Sequence, residues 1–114
     1  MINSTPFSYQ FPKFARVVNA YDQIRHMQSE ANEVREANDL YSAAVMAHVG
    51  EATEQSALQA LAVEAMDYLH SGETLLHILE EAGADLEAAK RDAIAKNDAR
   101  GYYDGLEGSG ADEV

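Results

Sequence analysis

Residues 54–81 read EQSALQALAVEAMDYLHSGETLLHILEE, and this stretch decides the fold class. Most of its residues are good helix formers, it contains no proline, and its leucines recur at helical spacing. The pattern predicts a long helix from about Glu54 to Glu81, ended by Gly83. The apolar stripe of this helix is expected at Leu58, Leu61, Ala65, Leu69, Leu76 and Leu79.

The segments on either side of this helix are also helical in pattern. Between residues 13 and 46 the apolar residues follow helical spacing, but their stripe drifts near residues 25–28, which predicts two helices or one bent helix. Asp85 is a typical N-cap residue and predicts a last helix to about Ala99. Since the connections are short, we expect an all-α protein, a small bundle of about four helices.

The two ends of the chain differ from its middle. Residues 1–12 contain both prolines and are predicted to form an irregular N-terminal arm. Residues 105–114 are acidic and rich in glycine, which predicts a disordered tail. With 114 residues in all, the chain has room for one domain, the helical part at 13–104.

Composition limits the class of protein. There is no cysteine, which excludes disulfides and thiolate metal sites and fits a cytoplasmic protein. No apolar run approaches the roughly 18–20 residues that span a bilayer, and the N-terminus lacks the pattern of a signal peptide, so no membrane partner is expected. The net charge of -12, with eight Lys and Arg, argues against a nucleic-acid-binding surface.

One glutamate breaks the apolar pattern of the first helical segment. By helical rotation, Glu30 projects within about 40° of the centre of the apolar stripe, and Glu33 lies one step to its side. A carboxylate aimed at a core face is costly unless it is neutralised, paired or bound to metal. The stripe consists of Met27, Ala31, Val34, Ala37, Tyr41 and Val45.

A second carboxylate pair lies on the long helix. Glu64 and Asp67 are three residues apart and flank its apolar stripe, so two packed helices would place four carboxylates around one point. Such a cluster repels itself unless a cation neutralises it, and Mg²⁺ and Mn²⁺ prefer oxygen ligands. We therefore predict that Glu30, Glu33, Glu64 and Asp67 hold Mg²⁺ or Mn²⁺. A solvated surface role is assigned to Glu36, Asp39, Glu51, Glu54, Glu80 and Glu87.

These motifs resemble those of a known family. Residues 29–34, SEANEV, and 63–69, VEAMDYL, resemble the E-E-x-x-E and E-x-x-D motifs of the MazG-like all-α nucleoside triphosphate pyrophosphohydrolases. Residues 96–103, KNDARGYY, resemble the K-N-x-x-R-G-Y ending of many phage and bacterial members. The resemblance covers roughly residues 14–104. Ser29 stands where the family pattern has its first glutamate.

The resemblance implies a function and its residues. It implies metal-dependent hydrolysis of nucleoside triphosphates, with deoxynucleotides favoured, to the monophosphate and pyrophosphate, by a homodimer or homotetramer in the cytoplasm (the host cytoplasm for a phage protein). Glu30, Glu33, Glu64 and Asp67 would be both the metal ligands and the catalytic residues. The substrate-binding residues would be Lys90, Lys96, Asn97 and Arg100, although cations near a helix C-terminus also complement the helix dipole.

Two other functions remain open from the sequence. A non-enzymatic acidic interaction module would spread its acids over the outer faces, and Glu30 in the apolar stripe argues against it. A ferritin-like di-iron carboxylate bundle expects Glu-x-x-His twice. This chain has only one comparable spacing, Asp67 with His70.

Overall fold

The computed structural model describes residues 5–12, 14 and 19–106, which contain three α-helices and no strand. These are α1 (Ala20–Met46), α2 (Glu51–Glu81) and α3 (Leu86–Ala99). The all-α class is thus confirmed. The number of about four helices is wrong for the described residues, because α1 is one continuous helix. It contains neither glycine nor proline, so the drift of its apolar stripe does not interrupt the backbone hydrogen bonds.

Short polar side chains and glycines fix the helix ends. The Asn19 side chain accepts the Asp22 N–H at 2.8 Å and caps α1. Asp85 accepts the Ala88 N–H at 3.1 Å and caps α3, as the sequence predicts. Gly50 and Gly83, at φ values of 122° and 111°, stand in the turns before and after α2. Glycine favours this region because it has no Cβ to clash with the backbone.

The chain divides into two compact units. One unit is Gln10–Leu79, which contains α1 and nearly all of α2. The other unit contains α3, the residues from Glu80 onward and those before Gln10. None of the three helices is long and apolar enough to cross a membrane.

In the first unit, α1 and α2 pack as an antiparallel hairpin. The buried side-chain amide of Gln23 donates to the Ser71 carbonyl at 2.9 Å. One turn further along α1, the Met27 Cε lies 3.7 Å from where a Cβ on Gly72 would stand, so Gly72 allows close packing. Further along α1, a carboxylate oxygen of Glu30 lies within 4.8 Å of a carboxylate oxygen of Glu64. Since a later residue of α1 contacts an earlier residue of α2, the two helices are antiparallel.

The contact between the two helices follows a heptad pattern, which we call the seam. Steps of three and four residues separate the less exposed positions, as in a coiled coil. In α2 the same register continues through Tyr68, which is 41% exposed, to buried Ser71. The less exposed positions are Ala20, Gln23, Met27, Glu30, Val34, Ala37, Tyr41 and Ala44 on α1, and Glu54, Ala57, Leu61 and Glu64 in the first half of α2.

The seam corrects part of the apolar stripe predicted for α2. Leu61 is half-buried as expected, but Leu58 and Leu69 are 38% and 48% exposed. Each of these two leucines directly follows a seam position, so it lies about 100° further around the helix. On α1 the seam includes four of the six predicted positions, whereas Ala31 and Val45 are exposed for the same reason.

A buried carboxylate ties the arm to α2 within the same unit. Glu73, only 6% exposed, accepts the backbone N–H of Gln10 at 2.8 Å and that of Phe11 at 3.0 Å. The Phe11 ring stacks on His70 at a centroid distance of 4.6 Å. The Nε2 atom of His70 lies 3.2 Å from the Pro12 carbonyl oxygen, to which it can donate. The two backbone N–H groups of Gln10 and Phe11 provide the Glu73 carboxylate with hydrogen-bond donors, without a cation.

Glu73→Gln is expected to destabilise the fold by roughly 1.5–3 kcal/mol, since hydrogen bonds to a charged acceptor are worth about that much. The amide keeps one acceptor oxygen but presents an N–H group to backbone donors. Urea unfolding followed by circular dichroism measures the change. Glu36→Gln, an exposed site on α1, is the control and should change the free energy of unfolding by less than about 0.5 kcal/mol. Equal values for the two variants would contradict the role of Glu73.

In the second unit, polar contacts hold the first described residues against α3 and the end of α2. The Lys90 ammonium donates to the Thr5 carbonyl at 2.8 Å and to its hydroxyl at 2.9 Å. The Tyr9 hydroxyl donates to Glu80 at 2.8 Å. Leu86, at 6% exposure, is the buried hydrophobic side chain of this unit among the described residues.

Candidate metal site on the α1–α2 hairpin

Three carboxylates from α1 and α2 converge at the middle of the hairpin. Glu30, Glu33 and Glu64 each offer an oxygen, and these oxygens all lie within 4.8 Å of one another. Glu30 and Glu64 occupy seam positions, where apolar side chains are usual, and both are half-buried. Glu33 lies one turn beyond Glu30 and is exposed. The seam therefore brings together acids from both predicted motifs.

The environment of Glu64 disfavours its charge. Its Oε1 atom is buried and has no hydrogen-bond partner among the described residues. Burial, followed by the nearby negative charges of Glu33, Asp67 and Glu30, raises the pKa of the Glu64 carboxyl above its ordinary value. A cation at this point would act against both causes, because it would give the oxygen a ligand and offset the neighbouring charges.

The donor set fits a hard dication. Oxygens on opposite sides of a Mg²⁺ or Ca²⁺ ion lie roughly 4–5 Å apart, given ligand distances of about 2.0–2.6 Å. The oxygens of the three carboxylates lie no more than 4.8 Å from one another, so one ion could contact all three. All three donors are oxygens, which suits Mg²⁺ or Mn²⁺ better than a soft metal.

Asp67, the fourth predicted ligand, stands beside this group. It lies one turn after Glu64 on α2, is exposed, and is close enough to raise the pKa of Glu64. It is not part of the group of three that lies within 4.8 Å. Its side chain would therefore reach an ion through a change of rotamer or through a water molecule, as is common for Mg²⁺.

A histidine that sequence reasoning missed contacts the site. His26 Nε2 lies 3.1 Å from Glu30 Oε1, one turn earlier on α1. The side chain of His26 is half exposed, whereas that of Glu30 is 14% exposed. An N–H donated to a carboxylate restricts its rotamer, which is how residues around metal ligands commonly act. The spacing of four residues between His26 and Glu30 was the available signal.

A shallow cavity opens next to the carboxylates. Its volume is about 230 Å³, below the roughly 300–1,000 Å³ of most ligand pockets, so alone it would take only part of a nucleotide. Leu40, 70% exposed, provides an apolar wall. The lining residues are Glu33, Glu36, Ala37, Leu40, Ala60 and Glu64.

The predicted substrate-binding residues lie in the unit that contains α3. Lys96 and Arg100 are exposed at the end of that helix. The Asn97 carbonyl accepts the Tyr102 N–H at 3.1 Å, which shapes the turn after α3. The Lys90 ammonium donates hydrogen bonds to Thr5, so it would contact a substrate only after these hydrogen bonds break.

Comparisons with protein-family models, with curated proteins and with solved structures gave no significant match to this chain. The resemblance to MazG-like pyrophosphohydrolases therefore rests on the motif residues of the sequence alone.

Proposed function

We propose that this protein is a metal-dependent nucleoside triphosphate pyrophosphohydrolase of the MazG-like type, which converts a nucleoside triphosphate into the monophosphate and pyrophosphate. The observation that carries the proposal is the convergence of Glu30, Glu33 and Glu64 at the seam, with a buried oxygen of Glu64 left unpartnered among the described residues. The three carboxylates repel one another at a position where apolar side chains are usual. Such local departures from the expected pattern tend to mark functional sites.

The proposed reaction needs no nucleophilic side chain. Water attacks the α-phosphorus and forms a new P–O bond, and the bond from that phosphorus to the bridging oxygen breaks, so that pyrophosphate leaves with the electron pair. A bound Mg²⁺ or Mn²⁺ supplies charge neutralisation and activation of the water. Glu30, Glu33, Glu64 and Asp67 would hold the ion. The exposed edge at Glu33 and Asp67 leaves it open to a polyphosphate.

The substrate side of the proposal rests on the resemblance. Lys96 and Arg100 would contact phosphate oxygens, Asn97 phosphate or sugar, and Lys90 would lie behind them. Deoxynucleotides are the favoured substrates, and a role in the nucleotide pool goes with a cytoplasmic location. Exposure of Lys96 and Arg100 is compatible with this role.

An acidic interaction module is the second candidate, and the net charge of -12 favours it. It would not require carboxylates at seam positions, where Glu30 and Glu64 lie. A di-iron bundle is less well supported, because His70 stacks on Phe11 and its Nε2 atom contacts Pro12.

Pyrophosphate release from a panel of ribo- and deoxynucleoside triphosphates tests the proposal. We expect release with Mg²⁺ or Mn²⁺ and none with EDTA, with deoxynucleotides turned over fastest. Circular dichroism on the same samples establishes that the protein is folded. Folded protein that is silent with every nucleotide and both metals would contradict the proposed function and favour the acidic module.

A further inference from the structure

His26 contacts the three-carboxylate group of the candidate metal site from outside that group. Its Nε2 atom lies 3.1 Å from Glu30 Oε1. In the described part of the chain, His26 is the one side chain with a hydrogen bond or ion pair to any of the carboxylates of Glu30, Glu33 and Glu64. It is therefore the polar contact that can orient a carboxylate of this group.

His26 lies along the open edge of the candidate metal site. It directly precedes the seam position Met27, just as Glu33 precedes Val34. Seven residues along a helix bring a side chain back to nearly the same side. The side chain of His26 is 52% exposed, whereas that of Glu30 is 14% exposed. The ring can therefore be replaced without opening the helix contact, so an effect of its removal would report on Glu30.

Glu30 gains from such a contact because a glutamate side chain is flexible. Its side-chain torsions each have several minima, and together they place the carboxylate. When an ion binds a freely moving carboxylate, binding costs the conformational entropy of fixing that side chain. The Nε2–H of a neutral imidazole can donate to Oε1 and hold the carboxylate beforehand. Oε2 and the second lone pair of Oε1 then stay available to a metal ion.

We propose that His26 is a positioning residue, which holds the Glu30 carboxylate in place for the ion and thereby sets the affinity of the site for Mg²⁺ or Mn²⁺. The inference rests on the metal site of the proposed function. His26 acts through Glu30 and not on the nucleotide, so it contributes to metal binding and not to the chemical step. An ordinary pair of side chains on a helix surface, at the same spacing of four residues, would leave metal affinity unchanged.

Electron paramagnetic resonance of Mn²⁺, titrated into the protein without nucleotide, tests this inference. His26→Leu removes the donor and should weaken Mn²⁺ binding by about 10–100-fold, as changes beside metal ligands commonly do. His26→Gln, whose amide N–H can replace the Nε2–H, should restore most of the affinity. Gln28→Leu is the matched control, because it introduces the same side chain at an exposed site on the other side of α1. It should bind Mn²⁺ as the wild type does.

Pyrophosphate release separates this role from a catalytic one. At saturating Mg²⁺, His26→Leu should regain nearly the kcat of the wild type. The Mg²⁺ concentration that gives half the maximal rate should rise by the same factor as the dissociation constant for Mn²⁺. A low kcat that no Mg²⁺ concentration restores would contradict a role limited to metal binding.

Three results of the Mn²⁺ titration would overturn the inference. They are an unchanged affinity in His26→Leu, an equal loss in Gln28→Leu, and a loss in His26→Gln as large as in His26→Leu. Circular dichroism should be unchanged, since leucine and glutamine are good helix formers. If His26→Leu nevertheless lost its helix, His26→Ala would decide in its place.

The failure of this inference and that of the proposed function are distinguishable. An active wild type with any of these three results would keep the proposed function and remove only the role of His26. Mn²⁺ binding that depends on His26, in a protein that releases no pyrophosphate, would keep this role and remove the proposed activity. A wild type that binds no Mn²⁺ would overturn the inference together with the proposed metal site.

Discussion

Glu33→Gln is expected to lower metal-dependent pyrophosphate release by at least about 100-fold while the protein stays folded. Changes to residues that merely support metal ligands already cost about 10–100-fold, and Glu33 is proposed as a ligand itself. The amide has the same shape but no negative charge. Because Glu33 is exposed and adds to the repulsion on Glu64, its neutralisation should not weaken the fold.

The kinetic measurement for Glu33→Gln is kcat/KM over a range of Mg²⁺ concentrations, with Glu36→Gln as the matched control. Glu36 is on the same helix and lines the same cavity, but it is outside the three-carboxylate group. We expect the control to keep nearly full activity and the Mg²⁺ requirement of the wild type. A fully active Glu33→Gln protein, or one that is unfolded, would contradict the assignment of Glu33 as a metal ligand.

Glu64→Gln is expected to raise the stability of the metal-free protein at neutral pH. The pKa of Glu64 lies above its ordinary value of 4.5 in the folded state, mainly because of burial and then because of neighbouring acids. Below pH 4.5 the group is protonated in both states and carries no penalty. As the pH rises through the raised pKa, ionisation costs the folded state stability, and the wild type loses stability that the glutamine variant keeps.

Metal should reverse this order of stability. At a Mn²⁺ concentration 100 times its dissociation constant, the wild type should gain roughly 2.7 kcal/mol, which raises its melting temperature by about 10 °C or more. Glu64→Gln should lose most of that gain. Glu54→Gln, another half-buried seam glutamate of α2 but outside the group, should respond as the wild type does. The same Mn²⁺ gain in Glu64→Gln as in the wild type would argue against metal binding at this residue.

Local signals in the sequence predicted several features correctly. Asp85 and Gly83 depend on the chemistry of helix ends, which acts within a few residues, and both lie where expected. The position of Glu30 in the helix contact followed from its rotation relative to Val34 and Ala37, a relation internal to one helix. Such features are predictable because the partner helix does not affect them.

Features that depend on distant partners were not predictable. Two apolar rows on α2 are candidates for the buried face, and periodicity alone does not say that Leu61 turns to α1 while Leu58 and Leu69 stay exposed. The hydrogen bonds from the backbone of Gln10 and Phe11 to Glu73 join residues more than 60 positions apart. Neither contact leaves a local pattern in the sequence.

The most direct test of the central claim is phosphorus NMR of the reaction products, with a deoxynucleoside triphosphate, Mg²⁺ and wild-type protein in water enriched in oxygen-18. The account predicts the monophosphate and pyrophosphate in equal amounts, with the label on the monophosphate, and no reaction in EDTA. Formation of the nucleoside diphosphate and inorganic phosphate, or oxygen-18 on the pyrophosphate, would contradict attack at the α-phosphorus. No reaction by folded protein in the presence of Mg²⁺ would contradict the enzymatic function itself.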